Sequence, residues 1–341
     1  MNRRIENEYA STLEWLLEPD RDQPGVRYLA LRDLVGLGDS DGELANARKA
    51  AMDSGPVAQI LDAQSEDGYW AQPGPGYSPK YTGTVWQIIF MGQLGASGDD
   101  VRVRKGCEYL LTHTSDSNGA FSMTGAPSGY IHCLSGNLIA ALIDLGYGDD
   151  ERVRRAIEIQ AKLVLGRLQS GNGAPELRYY NSGTSDSLYA CAHNLHHRCA
   201  WGAVKALMAF GKLHPSLRSQ SVMDAVEQST SFLLERDPAK ADYPSVYGDT
   251  PSANWFKFGY PLGYMSDVLQ NAEALAGVGC AQDPRLGNAV VLIESKRDAS
   301  GRWVQEYKYR SKLWAQVEEA GKPSKWITLR ALRVLNAASE G

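Results

Sequence analysis

Apolar residues recur along this chain in short stretches with helical spacing, and no stretch shows the sustained two-residue alternation that predicts strands. Several stretches end in an apolar residue followed by glycine, which predicts a helix stop because glycine adopts the left-handed conformation without penalty. These pairs are Leu37-Gly38, Leu94-Gly95, Leu145-Gly146, Phe210-Gly211 and Val278-Gly279. Successive glycines of this set lie between 51 and 68 residues apart, which indicates an internal repeat.

An aspartate precedes several of the apolar stretches, and a small residue follows it six positions later. The aspartates are Asp41, Asp100, Asp150 and Asp283, and the small residues are Ala47, Gly106, Ala156 and Ala289. Aspartate is favoured at a helix N-cap because its carboxylate accepts hydrogen bonds from the first free N–H groups. The pairs Asp99-Asp100 and Asp149-Asp150 are therefore interpreted as caps and not as acidic metal ligands.

Each repeat is predicted to contain a helix, a loop and a second helix. Six such pairs, or twelve main helices, account for residues 1–341 as one domain. The second helices are predicted at 26–37, 82–94, 133–145, 198–210, 261–278 and 325–335. The pattern fits either a closed two-layer ring or an open helical solenoid. The longer loops follow the first helix of each pair, so they emerge on one face, which is the expected functional face.

Composition excludes several classes of protein. The chain has 341 residues, of which 43% are hydrophobic, and a net charge of -5. These values indicate a folded protein and disfavour nucleic acid as a partner. No apolar run approaches the ~20 residues of a membrane helix, and the first residues do not resemble a secretory signal. Five cysteines in a chain of this length do not form a disulfide framework, so a cytoplasmic location is expected.

Residues 64–70 (QSEDGYW) resemble the QxxDGxW repeat motif of squalene–hopene and oxidosqualene cyclases. Residues 298–303 (DASGRW) resemble a degraded second copy, and 118–121 (NGAF) and 172–173 (NG) resemble shorter remnants. The chain is thus similar to the α/α toroid of terpene cyclases and protein prenyltransferase β subunits. This resemblance implies an all-α, single α6/α6 toroid, in which the second helices surround a central cavity with a site at its mouth. The DxDD and DDxxD motifs of such cyclases are absent, so the resemblance concerns the fold more than the reaction.

The predicted chemistry lies where the second helices begin, because their positive dipole ends would converge there and favour an anionic group. Tyr260, Tyr264 and Asp267 share one face of the helix predicted at 261–278. Asp267 is the predicted general acid or base, with His132 or His197 as a second proton carrier and the two tyrosines orienting or donating. The alternative is a structural ion pair between Asp267 and an arginine such as Arg330. The predicted substrate-binding residues are Tyr81, Trp86, Gln87, Cys133, Asn137, Cys199, Trp201, Phe258, Lys257, Trp326 and Arg330.

A second hypothesis concerns residues 191–199, CAHNLHHRC. His193 and His197 would share one face of a helix, and the flanking cysteines could add thiolates. Cys191, His193 and Cys199 are therefore the ligands of an alternative zinc site.

The leading prediction is a terpene-cyclase-like lyase or isomerase without a cofactor. It would catalyse acid–base cyclisation, isomerisation, hydration or dehydration of a small, largely apolar molecule with a polar or anionic end. A zinc-dependent enzyme and a non-catalytic binder of lipid-like molecules are the alternatives. A glycosidase ranks below them because carboxylates at the mouth are scarce. The sequence predicts neither the substrate nor the oligomeric state.

Overall fold

The computed structural model describes residues 8–167, 185, 187–248, 250–307 and 312–339. The remnant motif predicted at 172–173 lies outside these residues. Thirteen α-helices occur in the described residues: α1 (Ala10–Leu17), α2 (Pro24–Ala30), α3 (Gly42–Asp53), α4 (Gly55–Asp62), α5 (Thr84–Gln93), α6 (Val101–His113), α7 (His132–Leu142), α8 (Glu151–Val164), α9 (Ala200–Gly211), α10 (Gln220–Leu234), α11 (Val268–Gly277), α12 (Gly287–Ser295) and α13 (Lys325–Ser339). One short antiparallel sheet, of β1 (Trp303–Val304) and β2 (Pro323–Ser324), is the only sheet in this part of the chain. None of the helices in the described ranges is long and apolar enough to cross a lipid bilayer.

Six helices form an inner ring in chain order, namely α2, α5, α7, α9, α11 and α13. From α5 onward each packs against the next, and α13 packs against α2. At Gly25, the backbone of α2 approaches the end of α5 so closely that a Cβ would lie 2.2 Å from the carbonyl oxygen of Leu94. The ring is therefore closed, and the predicted all-α toroid is confirmed over the open solenoid.

The first helices of the pairs form the outer layer. Helix α1 packs on α2, and each later outer helix packs on the inner helix that precedes it in the chain: α3 on α2, α6 on α5, α8 on α7, α10 on α9 and α12 on α11. The second outer position is filled by two helices, α3 and α4, because the backbone breaks at Gly55, where φ is +67°, and Pro56 then opens α4. The sequence predicts twelve main helices. The described residues contain thirteen, because this one outer position holds two helices.

The predicted helix stops are partly confirmed. Gly95, Gly146 and Gly279 have φ values of 78°, 86° and 92°, as expected for left-handed stop residues. The first stop lies at Gly36, with φ of 84°, and not at Gly38. Helix α2 passes into a wider, π-helical turn over Leu31–Val35, and this turn ends at Gly36. The prediction for Gly211 was also wrong, since this glycine is the last helical residue of α9.

A buried tryptophan joins the outer layer to the inner ring in the second pair. The indole nitrogen of Trp70 donates a hydrogen bond to the carbonyl oxygen of Ile60 in α4 (2.6 Å), and its backbone N–H donates to Thr84 Oγ1 at the start of α5 (3.1 Å). A Cβ on Gly106 of α6 would lie only 2.8 Å from the Trp70 ring and 3.1 Å from Gln64 Nε2. The small residue after the capping aspartate therefore makes room for this tryptophan and glutamine.

The last pair repeats the same arrangement. The indole nitrogen of Trp303 donates to the carbonyl oxygen of Ile293 in α12 (2.7 Å), and its backbone N–H donates to Thr328 Oγ1 in α13 (3.1 Å). Trp303 is fully buried, like Trp70. The two segments are thus equivalent in structure, although the second retains little of the sequence pattern.

The four predicted aspartate caps are confirmed. Asp41, Asp100, Asp150 and Asp283 each accept a hydrogen bond from a backbone N–H two residues later. They therefore satisfy N–H groups that have no partner within their own helices.

Replacing Asp150 by alanine is expected to lower the free energy of unfolding by about 1 kcal/mol at neutral pH, because α8 loses its cap. The Arg152 hydrogen bonds hold the pKa of Asp150 below its usual range, so this contribution should disappear as the pH falls through that lowered pKa. Urea unfolding of the wild type and variant between pH 7 and strongly acidic pH measures both effects. Asp149→Ala is the matched control, since this exposed carboxylate pairs only with Arg154 across the surface and should change stability by less than ~0.5 kcal/mol.

Candidate functional site

The segment Gly259–Asp267, called here the central segment, runs through the middle of the inner ring. The sequence predicts a helix over 261–278, but helix α11 begins only at Val268, with Asp267 as its N-cap. Tyr260 and Tyr264 therefore do not share a helical face with Asp267, and that prediction was wrong. Pro261 and two glycines make the segment a poor helix.

Polar side chains of the inner helices bind the backbone of the central segment. Its carbonyl oxygens accept hydrogen bonds from four inner helices: Arg330 to Gly259 (3.2 Å), Gln93 to Leu262 (2.7 Å), Asn137 to Gly263 (3.0 Å) and Lys205 to Met265 (3.3 Å). These polar side chains face the middle of the ring. They satisfy a buried stretch of backbone there, which would otherwise carry a large desolvation cost.

The open central cavity implied by the resemblance is therefore absent from the described structure, and two smaller spaces remain. Tyr260 borders both of them and stacks on Trp326 with ring centres 4.6 Å apart. On one side lies a space of about 100 Å³ between the inner helices, bordered by Arg330 and Glu273. On the other side lies a larger pocket of about 330 Å³, called here the mouth pocket. Of these two spaces beside Tyr260, the mouth pocket alone reaches the range of about 300–1,000 Å³ typical of small-molecule sites.

The mouth pocket combines apolar and ionisable walls. Its lining comprises Tyr260, Pro261, Gln305, Lys312, Leu313, Ala315, Gln316, Val317, Glu318 and Glu319. Most of these residues come from the loop between β1 and β2, which precedes α13. This loop is not among the predicted sites, because its glutamates have no spacing in the sequence that distinguishes them from surface residues.

Glu318 is the mouth-pocket residue whose pKa is shifted toward neutral pH. Burial raises the pKa of its carboxyl group to about 7, against the opposing effect of hydrogen bonds from Ser324 and the backbone N–H of Lys325. The Lys325 N–H lies 2.8 Å from Oε1 at the first residue of α13. A carboxyl group with this pKa is populated in both protonation states near neutral pH, so it can donate or accept a proton.

Asp267 lies in a different environment, a buried ion-pair cluster. Its carboxylate contacts both terminal nitrogens of Arg330, at 3.2 and 3.4 Å, and accepts the N–H of Gln270 at 2.6 Å. Arg330 also binds Glu273, at 2.7 Å. The space beside Asp267 is only about 10 Å³, room for one water at most. The geometry therefore supports the structural alternative, while a role of Asp267 as a general acid or base stays a prediction.

Aromatic residues surround Tyr264 where the inner helices begin. Tyr81 and Tyr264 each contact the Trp86 ring, with centroids 4.8 and 5.2 Å away. The exposed amine of Lys80 lies 5.1 Å from the ring centroids of both tyrosines, a cation–π geometry. Burial raises the pKa of Tyr81 to about 12, so this hydroxyl remains protonated at neutral pH. The structure thus brings Tyr81, Trp86 and Tyr264 together, while their roles in catalysis and binding stay predictions.

Three other predicted binding residues, Gln87, Phe258 and Trp201, lie apart from the mouth pocket. Gln87 donates to the carbonyl oxygen of Tyr81 (3.0 Å) and so stabilises the start of α5. Phe258 is buried beside the central segment, whereas Trp201 contacts Trp255 at a ring distance of 6.3 Å. None of these residues lines the mouth pocket.

Lys205 is a buried cation that sequence analysis missed. It is fully buried, and besides the Met265 carbonyl its amine contacts Gln270 Oε1. Burial lowers its pKa to about 7. It is the only charged residue in helix α9. A single lysine in an otherwise apolar helix could have been identified from the sequence as a candidate buried cation.

The predicted histidines do not join Asp267. His132 is buried and contacts Tyr130 and Tyr189, and its carbonyl oxygen accepts a hydrogen bond from Gln160 of the outer helix α8. His197 is exposed in the turn before α9, and Lys257 is also exposed. The prediction that one proton-transfer site contains Asp267 and a histidine therefore finds no support in this geometry.

Cysteines gather beside the start of α9. Cys191 and Cys199 form a side-chain hydrogen bond, and Cys133 of α7 is close enough to influence the pKa of Cys199. The hydrogen bond from Cys199 lowers the pKa of Cys191 to about 6. His193 and His197 do not share a helix, because α9 begins only at Ala200. Within the described ranges, no three histidine, cysteine or acidic side chains are placed to hold a metal ion, so the zinc alternative stays an untested prediction.

Fold and site together define an all-α double ring whose centre is occupied by its own chain and whose mouth holds a small pocket. No protein-family model and no curated protein matches the chain. Among solved structures it is similar to the type II terpene cyclase MstE from Scytonema. The ligand-free enzyme is 11% identical, with 85% of this chain and 97% of that chain covered and a TM-score of 0.32. The complex with merosterolic acid A is 12% identical, with 86% of this chain and 96% of that chain covered and a TM-score of 0.33. The complex with geranylgeranyl dihydroxybenzoate is 13% identical, with 86% of this chain and 97% of that chain covered and a TM-score of 0.32.

Proposed function

We propose that the protein is an enzyme that transfers a proton to or from a small, partly apolar molecule bound in the mouth pocket. The reaction class is acid–base isomerisation, cyclisation, hydration or dehydration. One observation carries this proposal: Glu318 lines a pocket of about 330 Å³, and its carboxyl pKa is raised to about 7. A pocket with a convergent ionisable group of perturbed pKa is the arrangement expected of a catalytic site.

The walls of the pocket indicate the kind of substrate. Tyr260, Pro261, Leu313 and Val317 offer apolar surface, whereas Glu318 lies where helix α13 begins. A molecule with an apolar body and one hydroxyl or carbonyl group would place its polar end at Glu318. The neutral carboxyl group would donate the proton, and the carboxylate formed would be stabilised by the N–H of Lys325 and the hydroxyl of Ser324.

The test is solvent-deuterium incorporation into geraniol and farnesol, two molecules with an apolar body and one hydroxyl group. Each is incubated with the protein in deuterated water, and products are analysed by mass spectrometry. Glu318→Gln should lower the rate of incorporation by about 100-fold or more, with a melting temperature within a few degrees of the wild type. The wild-type rate of an acid-catalysed step should fall as the pH rises above about 7, since the donor form of Glu318 is lost.

Glu319→Gln is the matched control, because this neighbouring glutamate also lines the pocket but is exposed at the surface. It should retain most of the wild-type rate. Equal rates for Glu318→Gln and the wild type would exclude Glu318 as the proton donor. If the wild type binds both alcohols and releases them without deuterium, the non-catalytic alternative replaces the proposed enzyme.

A further inference from the structure

Two cysteines at the rim of the ring are held side by side by the backbone around them. The N–H of Cys199 donates to the carbonyl oxygen of Tyr189 (2.8 Å), and the N–H of Cys191 donates to that of His197 (3.3 Å). Between these bonds, Ala190 and residue 198 form an antiparallel bridge. Side chains alternate along paired extended segments, so the two cysteines project on the same face. Their thiols are close enough to influence each other's pKa.

The turn that joins the two cysteines surrounds the Cys191 sulfur with donors. Leu195 and His196 adopt left-handed φ values of 50° and 61°, which fold the backbone back on itself. As a result, Asn194 N–H donates to the Cys191 carbonyl oxygen (2.9 Å), and the backbone of His193 and Asn194 lies beside the Cys191 side chain, where with the neighbouring Cys199 thiol it lowers the thiol pKa. These contacts stabilise a thiolate at Cys191, which is also partly exposed to solvent.

The chemistry of such a pair is specific. An accessible thiolate attacks an oxidant faster than an ordinary thiol does, and a neighbouring thiol can then displace the oxidised group. Cys280 lacks this arrangement: burial raises the pKa of its thiol, and its side chain contacts Thr230. Cys107 is buried in the core. The nearby Cys133 is also held in its thiol form, because burial raises its pKa to about 12.

We propose that Cys191 and Cys199 form a reversible thiol–disulfide site that reacts with hydroperoxides. The Cys191 thiolate attacks the terminal oxygen of a hydroperoxide, the O–O bond breaks, and the alkoxide or hydroxide that leaves takes up a proton. Cys191 becomes a sulfenic acid. The Cys199 sulfur then attacks the Cys191 sulfur, a disulfide forms, and one water molecule leaves. A dithiol reductant returns both residues to thiols. The site is separate from the mouth pocket, so it stands or falls independently of the proposed function.

The full chain is treated with one equivalent of hydrogen peroxide, and free thiols, intact mass and non-reduced peptides are measured. Two thiols per chain should disappear, the mass should fall by that of two hydrogens, and one peptide pair should link Cys191 to Cys199. Dithiothreitol should reverse the change. In Cys199→Ser, a sulfenic acid should persist at Cys191 and be trapped by dimedone. In Cys191→Ser, thiol loss should be slower by about tenfold or more.

Cys280→Ser is the matched control and should react like the wild type. If Cys199→Ser fails to fold, dimedone added to the wild type during oxidation still labels Cys191 and lowers the yield of disulfide. Three results would overturn the proposal: thiol loss at equal rates in the wild type and Cys191→Ser, a disulfide that includes Cys133, or an unchanged wild type under conditions that oxidise free cysteine.

Discussion

Replacing Arg330 by methionine is expected to lower the free energy of unfolding by about 3–5 kcal/mol. The side chains of Arg330 and Asp267 are only 3% and 2% exposed, and Arg330 also binds Glu273 and the carbonyl oxygen of Gly259. Methionine fills a similar volume but deprives two poorly solvated carboxylates of their guanidinium partner, which is the costly way to break a buried ion pair. Equilibrium unfolding in urea measures the change.

The matched control for this experiment is Arg285→Met. Arg285 also pairs with an aspartate, Asp283, but its side chain is 57% exposed, so water can solvate the remaining carboxylate. Its loss should therefore leave the free energy of unfolding nearly unchanged. A cost below ~1 kcal/mol for Arg330→Met would show that the buried cluster does not hold the central segment in place.

Replacing Trp70 by alanine is expected to cost about 3–5 kcal/mol. The ring is fully buried between the two layers, so alanine would leave a cavity bordered by Gly106 and Gln64. It would also leave the carbonyl oxygen of Ile60 without the indole donor. Thermal and urea unfolding of the purified variant would measure this cost.

Trp303→Ala should have an effect of the same size, because Trp303 is equally buried and makes the equivalent two hydrogen bonds. Trp15→Ala is the comparison, since Trp15 lies partly exposed on the outer helix α1. Its cost should be clearly smaller. Equal costs for Trp15→Ala and Trp70→Ala would contradict the idea that the motif tryptophans join the two layers.

The double ring was predictable because its signals are local. An aspartate cap, a stop glycine and an apolar helical face are each encoded within a few residues, and four caps and three stops were confirmed. The tryptophan motif adds a contact between the two layers, which occurs at Trp70 and again at Trp303. Six copies of a two-helix unit then leave few ways to bury their apolar faces, and ring closure is one of them.

The path of the central segment was not predictable in the same way. Tyr260, Tyr264 and Asp267 have helical spacing, yet the backbone before Val268 is not helical. Side chains of the inner helices bind it there: Gln93, Asn137, Lys205 and Arg330. These donors come from four distant parts of the chain, and local propensity carries no information about them. Tertiary contacts therefore override the local pattern here.

The candidate site was missed for a related reason. Asp267 was selected because it lies among aromatic residues in the sequence, but its nearest partners in space are Arg330 and Gln270. Glu318 lies in a loop with no regular pattern, and its carboxyl group is buried only because that loop folds against the start of α13. Burial of an ionisable group depends on the assembled tertiary structure, so the sequence could not distinguish Glu318 from the exposed Glu319.

The backbone that passes through the ring also fixes the number of repeats. In an open array of helical hairpins, one unit can be lost or duplicated with only its neighbours affected. Here every unit that donates to Gly259–Asp267 is needed, since removing one would leave a carbonyl oxygen without a partner in a dry interior and would change the circumference around it. Evolution of this protein by gain or loss of a whole repeat is therefore disfavoured, and change should concentrate in the loops at the rim.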